Sequence, residues 1–75
     1  MDNRQFRAIV DAYADMVYRI ALNQTRRGTD ADDVVQDTLL RYYSLSKDYA
    51  SEAHLKAWLI RVTVNVCKDT LKSPW

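Results

Sequence analysis

Glycine and proline are almost absent from this sequence, since Gly28 and Pro74 are the only residues of their kinds in 75 positions. A small β protein needs several tight turns, and tight turns use residues that tolerate positive φ or fix φ in advance. The sequence nevertheless contains 48% hydrophobic residues, which is enough material for a core and argues against disorder. We therefore predict one small all-α domain, a bundle of three main helices with a polar loop before the last.

The first helix is predicted from Asn3 to Gln24, where apolar residues recur at three- and four-residue steps. The segment TRRG, Thr25 to Gly28, predicts the end of this helix. Arg26 and Arg27 suit the negative end of the helix dipole, and Gly28 suits the left-handed position that often follows a helix. We therefore expect a short connection with Gly28 as the cap.

Two further helices are predicted on either side of a polar loop. Thr29 and the carboxylates that follow it indicate a helix start, because they can cap backbone N–H groups and complement the positive end of the dipole. We expect this second helix to run to about Leu45. The segment SKDYASEA, Ser46 to Ala53, is polar and aperiodic and predicts a loop that can include a short helical turn. His54 to Lys72 then forms the third helix, which Ser73-Pro74 would end.

The segment from Ile60 to Val66 alternates apolar and polar residues, as a β-strand does. A strand needs a partner, and the sequence has no second alternating run and no hairpin turn. Read as a helix, this part of the chain has two apolar faces. One face carries Leu55, Trp58, Leu59, Val62 and Val66, and the nearly opposite face carries Ala57, Ile60, Val64, Cys67 and Leu71. A helix that is apolar on two sides is expected to lie between neighbouring helices.

The single cysteine, Cys67, excludes an internal disulfide and any cluster of several thiolates. A reduced, intracellular setting fits this composition best. The first eleven residues carry charges and lack the apolar run of a signal peptide, and nothing approaches the length of a membrane span. We therefore expect a cytoplasmic protein without membrane insertion.

A cationic edge follows the third predicted helix. The net charge of the chain is only +1, so a nucleic-acid site has to come from local separation of charge. Four polar residues spaced by four, three and four positions share one edge: Arg61, Asn65, Lys68 and Lys72. Lys and Arg can neutralise phosphates, and Asn can form paired hydrogen bonds with an adenine edge. An ordinary solvated face is the alternative, and Asp69 is a nearby exception to the positive charge.

The second predicted helix has the opposite polarity on its outward face. Its inward face carries Val34, Val35, Thr38, Leu39, Tyr42 and Leu45. Its outward face carries Asp33, Gln36, Asp37 and Leu40. An acidic rim around an exposed leucine is typical of a surface that docks on a basic partner helix. A solvated face with one ordinary surface leucine is the alternative.

The polar loop contains Lys47 and Tyr49, a cation and an aromatic ring that can stack on an unpaired base. A tyrosine folded back onto the core is the alternative reading of this loop. The two residues are therefore candidate contacts for single-stranded DNA.

Enzymatic chemistry finds no support in the sequence. His54 is the only histidine, and neither a second histidine nor a second cysteine completes a metal site. No glycine-rich phosphate loop occurs. Cys67 lies on an apolar helix face, which predicts a buried and unreactive thiol. We expect no enzymatic activity, no cofactor and no metal.

Two segments of the sequence carry a resemblance to a known family: DADDVVQDTLLRYY, Asp30 to Tyr43, followed by LKAWLIRVTVNVCKDTLK, Leu55 to Lys72. Together, and in this order, they resemble region 2 of a bacterial sigma factor of the extracytoplasmic-function type. In that family an acidic-start helix of the form D-A-x-D-x-V-Q-[ED]-x-x-L precedes an A-W-L-x-[RK]-x-x-x-N helix. The leading helix, Phe6 to Leu22, also fits, so the resemblance covers nearly the whole chain.

The resemblance implies two partners, RNA polymerase core and promoter DNA. The acidic helix would pack against the coiled coil of the polymerase clamp through Asp33, Gln36, Asp37 and Leu40. The third helix would engage the promoter minus-10 element and hold non-template-strand bases through Arg61, Asn65, Lys68 and Lys72. Asn65 is the expected base contact, and the loop with Lys47 and Tyr49 would capture a flipped base. An anti-sigma factor, common in this family, is a further expected partner.

The resemblance also implies a second helical domain that reads the minus-35 element, and this sequence lacks one. We therefore expect residues 1–75 to be an isolated region-2 domain and a fragment of a longer protein. The rival hypothesis is a helical protein-binding module that docks through its acidic second helix and does not bind DNA.

Overall fold

The computed structural model describes residues 3–45 and 51–72. These residues form three α-helices: α1 (Asn3–Thr25), α2 (Gly28–Leu45) and α3 (Glu52–Lys72). No strand occurs in the described ranges, so the predicted all-α fold with three main helices is confirmed. The alternating segment from Ile60 to Val66 is helical, as predicted. Residues 46–50 of the predicted loop and the Ser73-Pro74 end lie outside the described ranges.

The three helices pack pairwise around a shared core. Toward the α1–α2 turn the core consists of Ala21, Ala31, Val34, Val66 and Cys67, flanked by Tyr18 and Val62. Toward the start of α1 it consists of Tyr42, Leu55 and Leu59, flanked by Phe6, Ile9, Tyr13, Met16 and Trp58. Leu59 is completely buried, and burying a leucine side chain stabilises a fold by roughly 2 kcal/mol. The core therefore changes from small to bulky side chains along the bundle.

The cap at the end of α1 is Arg26, so the predicted role of Gly28 is wrong. Arg26 has a φ of 61°, and its N–H donates to the carbonyl of Leu22 at 2.8 Å. The Thr25 hydroxyl also bonds back into α1, donating to the Ala21 carbonyl at 2.9 Å. The left-handed position follows directly after a helix, and α1 ends at Thr25, so the position falls on Arg26, two residues ahead of the glycine. For a residue with a Cβ, this conformation costs roughly 1–2 kcal/mol.

Helix α2 begins one residue before Thr29. Gly28 is its first residue, and the N–H of Ala31 donates to the carbonyl of Arg27 at 2.9 Å. Thr29 therefore lies inside the first turn and is not the predicted N-cap. Asp30 does lie in the first turn, where its carboxylate complements the helix dipole.

Helix α3 begins two residues before His54, so the predicted loop is too long at this end. Glu52 and Ala53 belong to the helix. The hydroxyl of Ser51 accepts a hydrogen bond from the His54 N–H at 3.1 Å. Serine is a preferred N-cap residue. Ser51 was not predicted as the cap, because its neighbours in the sequence are also polar and do not distinguish it.

The prediction that α3 is buried on two sides is wrong. Its first apolar face is buried or half-buried: Leu55, Trp58, Leu59, Val62 and Val66. On the second face Cys67 is buried and Val64 is half-buried, but Ala57 is exposed, and Ile60 and Leu71 are 37% and 56% exposed. In a bundle of three helices each helix meets its two neighbours on one side. The outer half of α3 therefore has no cover among the described residues.

Helix α2 turns the predicted face toward the core. Val34, Thr38, Leu39 and Tyr42 are buried, and Val35 is half-buried. The side chain of Leu45 lies outside the described parts of the chain. The inward face of α2 is otherwise as predicted, which leaves its acidic face toward solvent.

Candidate protein and nucleic-acid interfaces

The α3 ridge consists of Arg61, Asn65 and Lys68, and all three residues are exposed. Steps of four and three residues place them on one side of the helix, over roughly 10 Å of its axis. Lys72 continues the spacing as the last residue of α3, but its side chain is not among those described. Of the four predicted residues, Arg61, Asn65 and Lys68 therefore lie together on one exposed face.

His54 extends the α3 ridge toward the start of the helix, a position that was not predicted from the sequence. It is exposed and lies seven residues, about two helical turns, before Arg61. The same interval separates Arg61 from Lys68. This repeated seven-residue step is the signal that identifies His54 as part of the same face.

The acidic face of α2 consists of Asp33, Gln36, Asp37 and Leu40. Asp33, Gln36 and Leu40 are exposed, and Leu40 exposes 56% of its surface. Asp37 is half-buried. The predicted outward face is therefore present as a contiguous surface, with an apolar side chain among polar ones. That composition suits contact with a protein.

Asp37 forms an ion pair within α2. The Nε and Nη2 atoms of Arg41 each lie 3.4 Å from a carboxylate oxygen of Asp37. About half of each side chain is exposed, 47% for Arg41 and 48% for Asp37. An exposed pair at this separation contributes little to stability, because water screens it. Both groups therefore retain the capacity to bind another charged partner.

A groove between α2 and α3 connects the acidic face with the α3 ridge. Its volume is about 560 Å³, and it is lined by Asp37, Leu40, Arg41, Ser44, Trp58 and Val62. Trp58 is half-buried, and its ring centroid lies 6.1 Å from that of Tyr42. This position at the edge of the core agrees with the apolar face of α3 on which the sequence places Trp58, whereas no role was predicted for Arg41 or Ser44. The structure shows that Trp58 also forms part of a surface.

Lys47 and Tyr49 lie outside the described residues, so their predicted contacts with an unpaired base stay predictions. Ser51 marks the point at which the chain enters α3. The loop therefore leads directly into the end of α3 that carries His54.

Cys67 is fully buried in the core between the helices. Burial raises the pKa of the Cys67 thiol, because desolvation disfavours the thiolate. The neutral thiol is a weak nucleophile and a weak metal ligand. The predicted buried position of this cysteine is confirmed.

Comparison with known proteins places this chain in a family of transcription initiation factors. The chain matches the family model of sigma-70 region 2 over residues 9–75, so it belongs to that family. The ECF RNA polymerase sigma factor SigM of Mycobacterium tuberculosis is 30% identical over 95% of this chain and 36% of its own length. The ECF RNA polymerase sigma factor SigL of the same species is 37% identical over 89% of this chain and 38% of its own length. No solved structure matches the chain significantly.

These matches confirm the resemblance to region 2 of a sigma factor of the extracytoplasmic-function type. The chain spans little more than a third of the length of SigM and SigL. Sigma factors are transcription factors rather than enzymes. Among the helices of the described residues, none is both long and apolar enough to cross a membrane.

Proposed function

We propose that this domain docks on RNA polymerase core through the acidic face of α2, and that it recognises and melts the promoter minus-10 element through α3. The observation that carries the proposal is the separation of charge between two adjacent helices of a region-2 fold. One helix exposes carboxylates around a leucine, and the other exposes a line of cations with an amide. The domain acts in the cytoplasm, uses no cofactor and performs no catalysis.

The DNA contact is assigned to the α3 ridge. Arg61 and Lys68 neutralise phosphates, and Asn65 between them reaches a base edge with its amide. Lys72, Lys47 and Tyr49 complete this surface in the proposal. A single strand is the preferred ligand, because its bases are free to be read and to stack once the duplex opens.

The polymerase contact is assigned to Asp33, Gln36, Asp37 and Leu40. Leu40 supplies the apolar anchor, and the surrounding carboxylates favour a basic partner such as the coiled coil of the polymerase clamp. Charge complementarity of this kind mainly sets the orientation and the association rate. The contact would therefore position α3 over the promoter.

An anti-sigma factor is a further partner in the proposal. The exposed apolar flank of α3, which contains Ile60 and Leu71, lies beside the α3 ridge. A protein that covers this flank would also block Arg61 and Lys68. Such a contact would inhibit DNA binding without any change in the fold.

Fluorescence anisotropy of a labelled non-template minus-10 oligonucleotide tests the DNA-binding role. Binding is expected at low salt and should weaken as salt rises, because phosphate neutralisation releases counterions. Asn65→Ala should abolish the preference over a scrambled oligonucleotide and leave most of the salt dependence. Asn23→Ala, which removes an exposed amide from α1, is the matched control. A folded chain that binds neither oligonucleotide at low salt would contradict the assignment and favour a purely protein-binding module.

A further inference from the structure

The apolar flank of α3 has the spacing of a surface that packs against another helix. It consists of Ala57, Ile60, Val64 and Leu71, which are separated by three, four and seven residues. Ile60 and Leu71 are 37% and 56% exposed, and the helices of the described ranges leave both side chains open to solvent. Steps of three and four residues form the seam along which one helix packs on another. The flank therefore suits a partner helix that presents an apolar side chain.

Two cations border this flank. Arg61 directly follows Ile60, and Lys68 lies three residues before Leu71. Both cations are exposed members of the α3 ridge. Two copies that met flank to flank would bring these cations together, and like charges across an interface oppose association. The partner helix is therefore expected to carry carboxylates beside its apolar side chain.

The acidic face of α2 in a second copy has this composition. Leu40 is 56% exposed, Asp37 lies three residues before it and Asp33 lies seven residues before it. Asp37 pairs with Arg41 in its own helix, but an exposed pair of this kind is weak, so the carboxylate can take another partner. Two copies that met through α2 alone would oppose carboxylates to carboxylates. The acidic face therefore also needs a different surface as its partner.

The spacing along the two helices also agrees. Every α-helix rises by about 1.5 Å per residue, so equal residue separations span equal lengths. Consider α2 antiparallel to α3 of a second copy, with Leu40 on the apolar flank at the level of Arg61. Asp33 then comes level with Lys68, because both separations are seven residues. Asp37 lies between the two cations, about one helical turn from the level of each.

We propose that the acidic face of α2 in one copy of this domain docks on the apolar flank and the cations of α3 in a second copy. Two different surfaces meet in this contact, so the interface is heterologous and association can continue head to tail into open chains. The inference goes beyond the proposed function. At each junction one copy loses the face proposed for the polymerase and the other loses the ridge proposed for DNA. Association would therefore hold the domain in an idle form.

The contact joins one face of a helix to one flank of another. Its area therefore falls among small, transient interfaces, which bury less than about 1,200 Å² in total. We expect association that is weak and reversible and that increases with protein concentration.

Sedimentation velocity of the whole 75-residue chain, from micromolar to millimolar concentration, measures this association. The mean mass of the wild-type protein should rise with concentration and should rise less at higher salt, because salt screens the charge contacts. Asp37→Lys and Lys68→Glu each place like charges in the interface, so each should weaken association at least about tenfold. Circular dichroism of each variant verifies that the helices are intact.

An equimolar mixture of the two variants distinguishes a head-to-tail contact from a symmetric one. The Lys68→Glu chain keeps an intact acidic face on α2, and the Asp37→Lys chain keeps an intact α3. These two surfaces can meet only once in each pair. The mixture should therefore form one-to-one dimers and no longer chains, although each variant alone is a monomer at the same concentration.

The matched control is Asp15→Lys on α1. Asp15 is exposed and also pairs with an arginine four residues later, Arg19, at 3.0 Å. This change alters the net charge by the same amount as Asp37→Lys and should leave association close to the wild-type level.

A wild-type chain that stays monomeric up to millimolar concentration would overturn the proposal. A mixture of the two variants that stays monomeric would do the same. Association that Asp37→Lys does not reduce would also overturn it, because the copies would then meet through another surface. None of these outcomes contradicts the proposed function, which the oligonucleotide titrations test at concentrations where the chain is a monomer.

Discussion

Helices α2 and α3 face the same core and present opposite charges to solvent. Each buries a threonine and several apolar side chains on its inner side. Outside, α2 exposes Asp33 and half exposes Asp37, whereas α3 exposes Arg61 and Lys68. Burial alone therefore cannot distinguish the two helices. The different roles proposed for the two helices rest on the outward residues, which contribute little to the stability of the fold.

This difference gives the proposed function a physical basis, because a chain with a net charge of +1 can still offer separate surfaces to two partners of opposite charge. Charge that is balanced over the whole sequence is separated in space by the helix period. The α2–α3 groove then brings the two surfaces within reach of each other. The following substitutions each change one property of α2 or of α3, so that the two helices can be compared.

The largest expected effect is on the free energy of unfolding, which should respond differently to truncation of a buried leucine on α3 and of an exposed leucine on α2. Leu59→Ala on α3 should lower the free energy of unfolding by about 3 kcal/mol, because it leaves a cavity in the core. Leu40→Ala on α2 should change the free energy by less than about 0.5 kcal/mol, because the side chain is 56% exposed. Urea denaturation followed by circular dichroism measures both. Similar losses for the two variants would show that Leu40 belongs to the core rather than to a docking surface.

The next largest effect is on oligonucleotide binding by the α3 ridge. Lys68→Glu should weaken binding of the minus-10 oligonucleotide about tenfold at low salt, because it removes one phosphate contact and adds repulsion. Lys56→Glu makes the same charge change at an exposed position on another side of α3 and should have a much smaller effect. Anisotropy titrations compare the two. Equal losses would mean that overall charge, and not the α3 ridge, determines binding.

The two buried threonines should respond to valine substitution in opposite directions. The Thr63 hydroxyl on α3 donates to the Leu59 carbonyl at 2.6 Å, whereas Thr38 Oγ1 on α2 has no hydrogen-bond partner among the described residues. Thr38→Val should raise the free energy of unfolding by about 1 kcal/mol, because it removes an unsatisfied buried hydroxyl. Thr63→Val should lower it by about 1 kcal/mol. Urea midpoints measure both changes, and a loss of stability in Thr38→Val would show that its hydroxyl is bonded.

The smallest effect is a pH dependence that originates on α3. The pKa of Cys67 is raised in the folded state by burial, so folding favours the protonated thiol. The corresponding stability is fully present below the unfolded pKa of about 8.5 and is lost as pH rises through the higher folded value. Stability of the wild-type protein should therefore fall faster than that of Cys67→Ala above about pH 8.5, where the thiol of the unfolded chain ionises. Urea midpoints at several pH values test this, and parallel curves would contradict it.

The sequence predicted the three helices and their bounds to within two residues, but it did not predict the residues that cap them. Apolar periodicity is a property of whole segments, and each of the three predicted segments became a helix. Caps depend on single residues. The left-handed position is occupied by Arg26 although glycine adopts it most easily, because this position directly follows the helix and α1 ends at Thr25. The N-cap at Ser51 was not predicted, because a serine within a polar segment does not by itself indicate where a helix begins.

The two charged surfaces were predictable because each lies on a single helix. Spacing alone places Arg61, Asn65 and Lys68 together. The groove was not predictable, because it depends on which helices are adjacent. Arg41 and Trp58 are 17 positions apart in the sequence, and only the packing of α2 against α3 brings them to one site. The exposed second face of α3 was missed for the same reason, since its pattern does not reveal how many neighbours the helix has.

The most direct test of two separate surfaces is a crossed charge reversal. Asp37→Lys and Lys68→Glu would each be measured against RNA polymerase core and against the minus-10 oligonucleotide at one salt concentration. We predict that Asp37→Lys weakens binding to the polymerase and preserves or strengthens DNA binding, whereas Lys68→Glu weakens DNA binding and preserves polymerase binding. Loss of both activities in both folded variants would contradict the account, because it would mean that the two helices form a single surface for one partner.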